Sequence, residues 1–178
     1  MRTSTAWLAL SFLVGIEAPL VGQTTPQAAP SREEIIATAR AIVEEARFCS
    51  FITVGADGQP QARIVDPFPP DSAFMIWIAT NPATRKVQEI QANPRVTLLC
   101  YNPTAYEFVT VLGTATLDTD PVQKAGHWKD AWTSLYEDQN RGDDYLLIRV
   151  TPFRLEVVST HRGMRNDPTT WRPVIVDM

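Results

Sequence analysis

The segment from Thr80 to Tyr101 constrains the fold more than any other part of the chain, because it reads as a strand end, a short helix and a second strand in close succession. Asn81 is a good N-cap, and Pro82 loses nothing as a first helical residue, since its missing N–H would have no partner there anyway. The spacing predicts a helix starting at Pro82, with Ala83, Val87 and Ile90 on its apolar face. Asn93-Pro94 ends it, and the run Arg95 to Tyr101 is rich in strand formers. Arg85 and Lys86 stand near the positive end of that helix's dipole, where cations are disfavoured and free N–H groups already attract anions. With Thr80 and Thr84 adding hydroxyls, the group reads as a phosphate cradle; two solvated charges on a helix face are the alternative.

Around this segment the chain is mostly strand. Phe48–Val54 and Gln59–Val65 form a hairpin about the turn Gly55-Ala56-Asp57-Gly58, and Ser72–Ala79, Tyr106–Leu117 and Tyr145–Ser159 are further β-rich runs, the last bent by Pro152. Ser31 and Glu34 make a capping box for a first helix whose stripe Ile35, Ala39, Ile42, Val43 and Ala46 runs to about Arg47. Asp120-Pro121 starts another, carrying Ala125, Trp128, Trp132 and Leu135; the helical spacing assigns both tryptophans to packing. Strands joined by short turns, with helices between groups, predict a mostly antiparallel closed sheet rather than a doubly wound parallel one.

The N-terminus has its own character. Met1-Arg2 precede an apolar run from Ala6 to Ile16, and Gly22 is a small residue before Gln23, so residues 1–22 read as a secretory signal peptide. The apolar run is shorter than the ~20 residues a membrane span needs, and neither a twin-arginine pair nor a cysteine at the cleavage site is present. A Sec-type signal and a periplasmic or secreted mature protein without a stable membrane span follow as the expectation. Residues 23–30 read as a disordered linker, 31–160 as one domain and 161–178 as a solvated tail. The formal net charge of −4 offers no broad basic surface, which argues against nucleic acid as a partner. Cys49 and Cys100 fall in separate strands and read as two buried thiols, with one disulfide as the alternative.

The familiar catalytic motifs are missing. His127 and His161 lie in different elements, Cys-x-x-Cys spacing is absent, and so are the glycine-rich dinucleotide, nucleophile-elbow and Walker patterns. A phosphate site without a nucleophile points to a bound cofactor that carries the reactive atoms itself, and no metal site is expected.

Four stretches then fall into a known order: Asp57-Gly58-Gln59-Pro60, Ala62-Arg63-Ile64-Val65, Trp77-Ile78-Ala79-Thr80 with Thr84-Arg85-Lys86, and Asn93-Pro94-Arg95-Val96. They resemble the pyridoxamine 5′-phosphate oxidase-like superfamily, in particular the general stress protein 26 type, over about Ile35 to Ser159. The resemblance implies a six-stranded antiparallel split β-barrel with flanking helices, a homodimer, and FMN at the dimer interface. It assigns Arg63, Thr80, Arg85 and Lys86 to the flavin phosphate, beside the Thr84 hydroxyl of the cradle, places Ile64 and Val65 along the isoalloxazine ring, and brings the backbone around Ile78 and Ala79 to the ring. Phe68 and Phe108 stand where true pyridoxamine phosphate oxidases carry a lysine and a flavin-contacting glutamine, and His161-Arg162 and Trp171-Arg172-Pro173 replace their substrate motif only loosely. The reading is therefore a flavin-dependent oxidoreductase acting on an unidentified small molecule or electron donor. The alternative is a non-catalytic module binding flavin, deazaflavin F420 or haem for storage or stress protection.

Overall fold

The computed structural model describes residues 29–178. Residues 1–22 and nearly all of the 23–30 linker lie outside them. Helix α1 spans Arg32–Ala46 and starts with the expected capping box: the Ser31 hydroxyl accepts the Glu34 N–H at 3.2 Å, and Glu34 accepts the Ser31 N–H at 2.7 Å. Its stripe Ile35, Ala39, Ile42 and Val43 is buried against the sheet.

Among the described residues the sheet has seven strands: β1 Cys49–Val54, β2 Pro60–Val65, β3 Ile76–Thr80, β4 Arg95–Asn102, β5 Glu107–Asp118, β6 Leu146–Val158 and β7 Val174–Asp177. All pairs are antiparallel, in the order β2-β1-β4-β5-β6-β3. Strand β6 is long enough to serve two partners on one side of its length, β3 along Leu146–Val150 and β7 along Arg154–Val157. The edge strands β2 and β3 do not pair with each other, so the sheet is split as the family resemblance implied, where the strand pattern alone suggested a closed one. Helix α2, Arg85–Ala92, packs on β1 and β5, and its Glu89 meets Arg63 of β2. Because α2 follows directly on β3, it bridges the gap between the two edges.

The main core cluster lies between α1 and the inner face of the sheet, built from Phe51, Ile76, Ile78, Leu98, Val109, Val111, Ile148, Val150 and Leu155 among others. Three expectations are corrected here. Cys49 and Cys100 form a disulfide rather than two thiols: the β1–β4 register sets them directly opposite, Cα atoms 4.3 Å apart, both buried. Directly opposed residues of an antiparallel pair come this close, and nothing in the sequence specified that register. The second helix is short, α3 Pro121–Gly126, followed by a single 3-10 turn at Asp130–Trp132. The segment read as a solvated tail ends in β7, with Met164 and Val176 buried in the core.

Gly113 lies where the β5–β6 register slips, opposite Pro152. A Cβ there would stand 2.6 Å from the Thr151 carbonyl oxygen and 2.9 Å from Val150 Cγ1. The clash is with backbone, so Gly113→Ala must push two strands apart. The expected cost is about 1–3 kcal/mol, read as a lower urea midpoint with an unchanged slope.

Candidate functional site

The cradle sits where β3 ends and α2 begins. Helix α2 starts one turn later than its sequence suggests. Asn81 turns its side chain onto the Ala83 N–H at 2.9 Å, closing a turn instead of capping the helix, and Thr84 takes the N-cap position. The Thr84 hydroxyl donates to the Asn81 carbonyl at 2.8 Å and lies 3.0 Å from the Thr80 hydroxyl. It makes no capping bond, so the first N–H groups of α2 have no side-chain acceptor.

Three cations converge on this point. Arg63 reaches in from β2; its Nη1 donates to the Thr53 hydroxyl at 2.5 Å and its Nη2 to Glu89 Oε2 at 2.7 Å. Arg85 pairs through Nε with Glu89 Oε1 at 2.9 Å across one helical turn, leaving its two terminal nitrogens free. Lys86 Nζ donates to the Thr84 hydroxyl at 3.2 Å. Burial lowers the Lys86 pKa, and the neighbouring Arg63 lowers it further, against a smaller opposing pull from Glu89. Lys86 is thus a half-desolvated cation beside another cation.

Glu89 is the centre of the arrangement and was not foreseen. Its side chain is 6% exposed. Burial pushes its pKa up, but hydrogen bonds from Thr53 and Arg63 and the charges of Arg63 and Arg85 outweigh that and hold the carboxyl below its ordinary 4.5. It therefore stabilises the fold at pH values above 4.5, and that contribution is lost as pH falls through the lowered value. Its only sequence signal is the i,i+4 spacing from Arg85.

The structure brings Arg63, Thr80, Thr84, Arg85 and Lys86 together. It separates Ile64 from Val65: adjacent strand residues face opposite ways, so Val65 is buried in the core while Ile64 is 67% exposed on the outer face. Their side chains therefore lie on opposite faces of β2, and only that of Ile64 is open to a ligand from outside the core. Ile78 is a core residue and Ala79 packs toward a second, aromatic cluster, so neither offers a free side chain. Their backbone is a different matter. The Trp77 carbonyl accepts the Phe68 N–H on the edge of β3 away from β6, and the strand's alternation turns the Ala79 N–H and C=O to that same edge.

Nearby, Trp77, Tyr145 and Leu147 form a second cluster with Phe68, Trp128, Trp132 and Tyr136 around them, so both tryptophans pack, though not from one helix face as their spacing suggested. The His127 ring lies 4.5 Å from that of Trp77, and Lys129 sits over Phe68 and Trp132 while bonding Asp66 at 2.7 Å. Arg162 is fully engaged elsewhere. It bonds Glu45 at 2.6 Å and the wholly buried Glu107 at 3.2 Å, tying the C-terminal segment to α1.

An antiparallel sheet left open between two edge strands, with a helix and its cations laid across the opening, defines the class as a split β-barrel. The family model for pyridoxamine 5′-phosphate oxidase matches residues 35–159, and the chain belongs to that family. Solved structures agree on the fold. General stress protein 26 from Bacillus anthracis str. Sterne is 20% identical over 82% of this chain and 97% of its own, with a TM-score of 0.64. A protein related to general stress protein 26 from Clostridium acetobutylicum is 18% identical over 82% and 96%, with a TM-score of 0.68. A pyridoxamine 5′-phosphate oxidase-related, FMN binding protein from Nostoc punctiforme is 17% identical over 85% and 98%, with a TM-score of 0.54. No curated protein matches the chain.

Proposed function

We propose that this chain is an exported flavoprotein that anchors the phosphate of FMN between Arg63, Arg85, Lys86, Thr80 and Thr84. The observation that carries this reading is the charge imbalance: three cations surround a single carboxylate at an uncapped helix start. The surplus of two matches a phosphate monoester, which carries about −1.5 to −2 at neutral pH. FMN supplies hydride or single-electron exchange when bound, and the chain supplies position and charge. The open edge of β3 at Ala79 offers backbone groups to the ring, and Ile64 offers an apolar flank. Titration of the purified protein with FMN, followed by flavin fluorescence quenching, tests the reading. The absorption spectrum of protein taken from its native compartment separates flavin from deazaflavin F420 or haem. A protein that binds no phosphorylated flavin overturns it.

The flavin site is completed by a second copy of the chain. The support is the outer face of the sheet, where the register aligns Ile64, Ser50, Leu99, Thr110, Glu156 and Ile175 in one row, three of them exposed hydrophobics, with Tyr101 close by. Such a face calls for a partner. Light scattering is expected to report a dimer for the wild type and a monomer for the double variant Ile64→Asp, Leu99→Asp; a wild-type monomer with FMN bound contradicts the proposal.

Export is supported by the buried disulfide, since such bonds form and persist in oxidising compartments. The segment 1–22 lies outside the described residues; among the described residues no helix is long and apolar enough to cross a membrane. N-terminal sequencing of the secreted or periplasmic fraction is expected to start near Gln23. An intact Met1 on a cytoplasmic protein refutes export.

A further inference from the structure

Glu89 stands in an unusual place for a site that awaits an anion. A cradle built only to hold phosphate tightly gains from every cation and loses from any buried carboxylate among them, because like charges repel strongly where water is scarce. Yet Glu89 is nearly buried, bonds both arginines, and takes a third hydrogen bond from Thr53 at 2.5 Å. The two arginines are held differently. Arg63 is 20% exposed and fixed by Thr53 and Glu89 together, whereas Arg85 is 65% exposed and held by Glu89 through one nitrogen. Asp57 lines one cleft together with Arg85 and Glu89, its carboxylate already accepting the Gln59 N–H.

We infer that Glu89 is the internal counter-ion of the cradle: it holds Arg63 and Arg85 in place in the ligand-free protein, and by repelling the incoming phosphate it makes the flavin exchangeable rather than permanently bound. This rests on the phosphate reading above and adds to it that the flavin comes and goes, as a co-substrate does. Glu89 acts through the arginines and is a positioning residue. Without its charge three cations face one another unneutralised, which weakens the free protein and strengthens its hold on a dianion. The loss of Glu89's pull on Lys86 acts in the same direction on the free protein.

The test compares wild type with Glu89→Gln, which keeps the shape and an acceptor for Thr53 and removes the charge. In low salt E89Q is expected to release FMN about tenfold more slowly, since affinity changes at one site fall mainly on the off-rate. The difference should narrow in 1 M NaCl, because the exposed Arg85 is screened there even though the buried Glu89 is screened less. Ligand-free E89Q should melt below wild type in low salt and regain part of the difference in 1 M NaCl; a packing defect would leave a gap indifferent to salt. Release of FMN as fast as wild type, or faster, overturns the inference. Glu89→Asp keeps the charge and should exchange FMN within about threefold of the wild-type rate, so it reads the proposal even where E89Q fails to fold, and a tenfold slower release from it would count against the counter-ion role. Should neither wild type nor variant bind FMN, the flavin reading falls. The salt dependence of the ligand-free proteins then decides on Glu89: a gap that narrows upholds the counter-ion, a gap that stays unchanged overturns it.

Discussion

Replacing both Arg85 and Lys86 by Ala is expected to weaken FMN binding by at least about a hundredfold. Each residue offers a phosphate one or more charge-assisted hydrogen bonds, worth about 1.5–3 kcal/mol apiece. A hundredfold corresponds to about 2.7 kcal/mol, so even the lower end of both contributions reaches it. Charge gives the same answer independently. In the double variant only Arg63 faces Glu89, and the surplus that attracted the phosphate is gone. The ligand-free protein should change little. It loses the Arg85–Glu89 pair, exposed on the arginine side only and worth on the order of 0.5 kcal/mol as an i,i+4 contact, and it gains relief from two cations at the positive end of the helix dipole. Glu89 keeps Arg63 and Thr53 as partners, so no buried charge is orphaned. FMN titration alongside thermal unfolding of the ligand-free variant checks both halves. Unchanged affinity returns Arg85 and Lys86 to a solvated helix face.

The part of this site that could be read from the sequence is the part encoded locally. Arg85 and Lys86 declare themselves because helix starts repel cations, and a run of residues from Thr80 to Lys86 contains the whole argument. Arg63 came only through the family resemblance, since it lies on another strand and nothing local links it to α2. Glu89 shows what neither route reached. A glutamate on a short helix reads as solvated, and its burial depends on β1 and β2 together bringing Thr53 and Arg63 against α2.

The same division holds in the fold. The capping box at Ser31 and the hairpin about Gly55–Gly58 are local, and both stand as read. The start of α2 shifted because two local rules competed at Asn81, and the turn onto Ala83 prevailed over the cap. Strand β7 was missed because Val174–Asp177 has no strand pattern long enough to stand alone; it exists because the far half of β6 offers an unpaired edge. The split of the sheet is non-local for the same reason, since whether β2 meets β3 depends on the curl of every strand between them.

The disulfide belongs to this non-local class and should have the largest effect on stability of any feature described. Cys49 and Cys100 are separated by 51 residues, a span that includes β2, β3, α2 and most of the cradle. Closing a loop of that length removes enough freedom from the unfolded chain to stabilise the native state by about 4 kcal/mol in the chain-entropy account. Replacing both cysteines by Ala is therefore expected to lower the melting temperature by roughly 8–16 °C, taking 2–4 °C per kcal/mol for a domain of this size. Both positions are buried, so alanine brings no polar group into the core and any loss of packing adds to the effect. Effects on FMN affinity should be small once the variant is folded, because the strands that carry Arg63 and Thr53 remain paired through the full β1–β2 register. Thermal unfolding without reductant measures the first expectation, and thiol counting on denatured wild type checks its premise. Two reactive thiols in protein recovered from the host's periplasm would remove the bond, and with it the strongest physical support for folding in an oxidising compartment. A double-alanine variant melting within ~2 °C of wild type would instead mean that the unfolded chain is already held compact across this span, leaving the bond little freedom to remove.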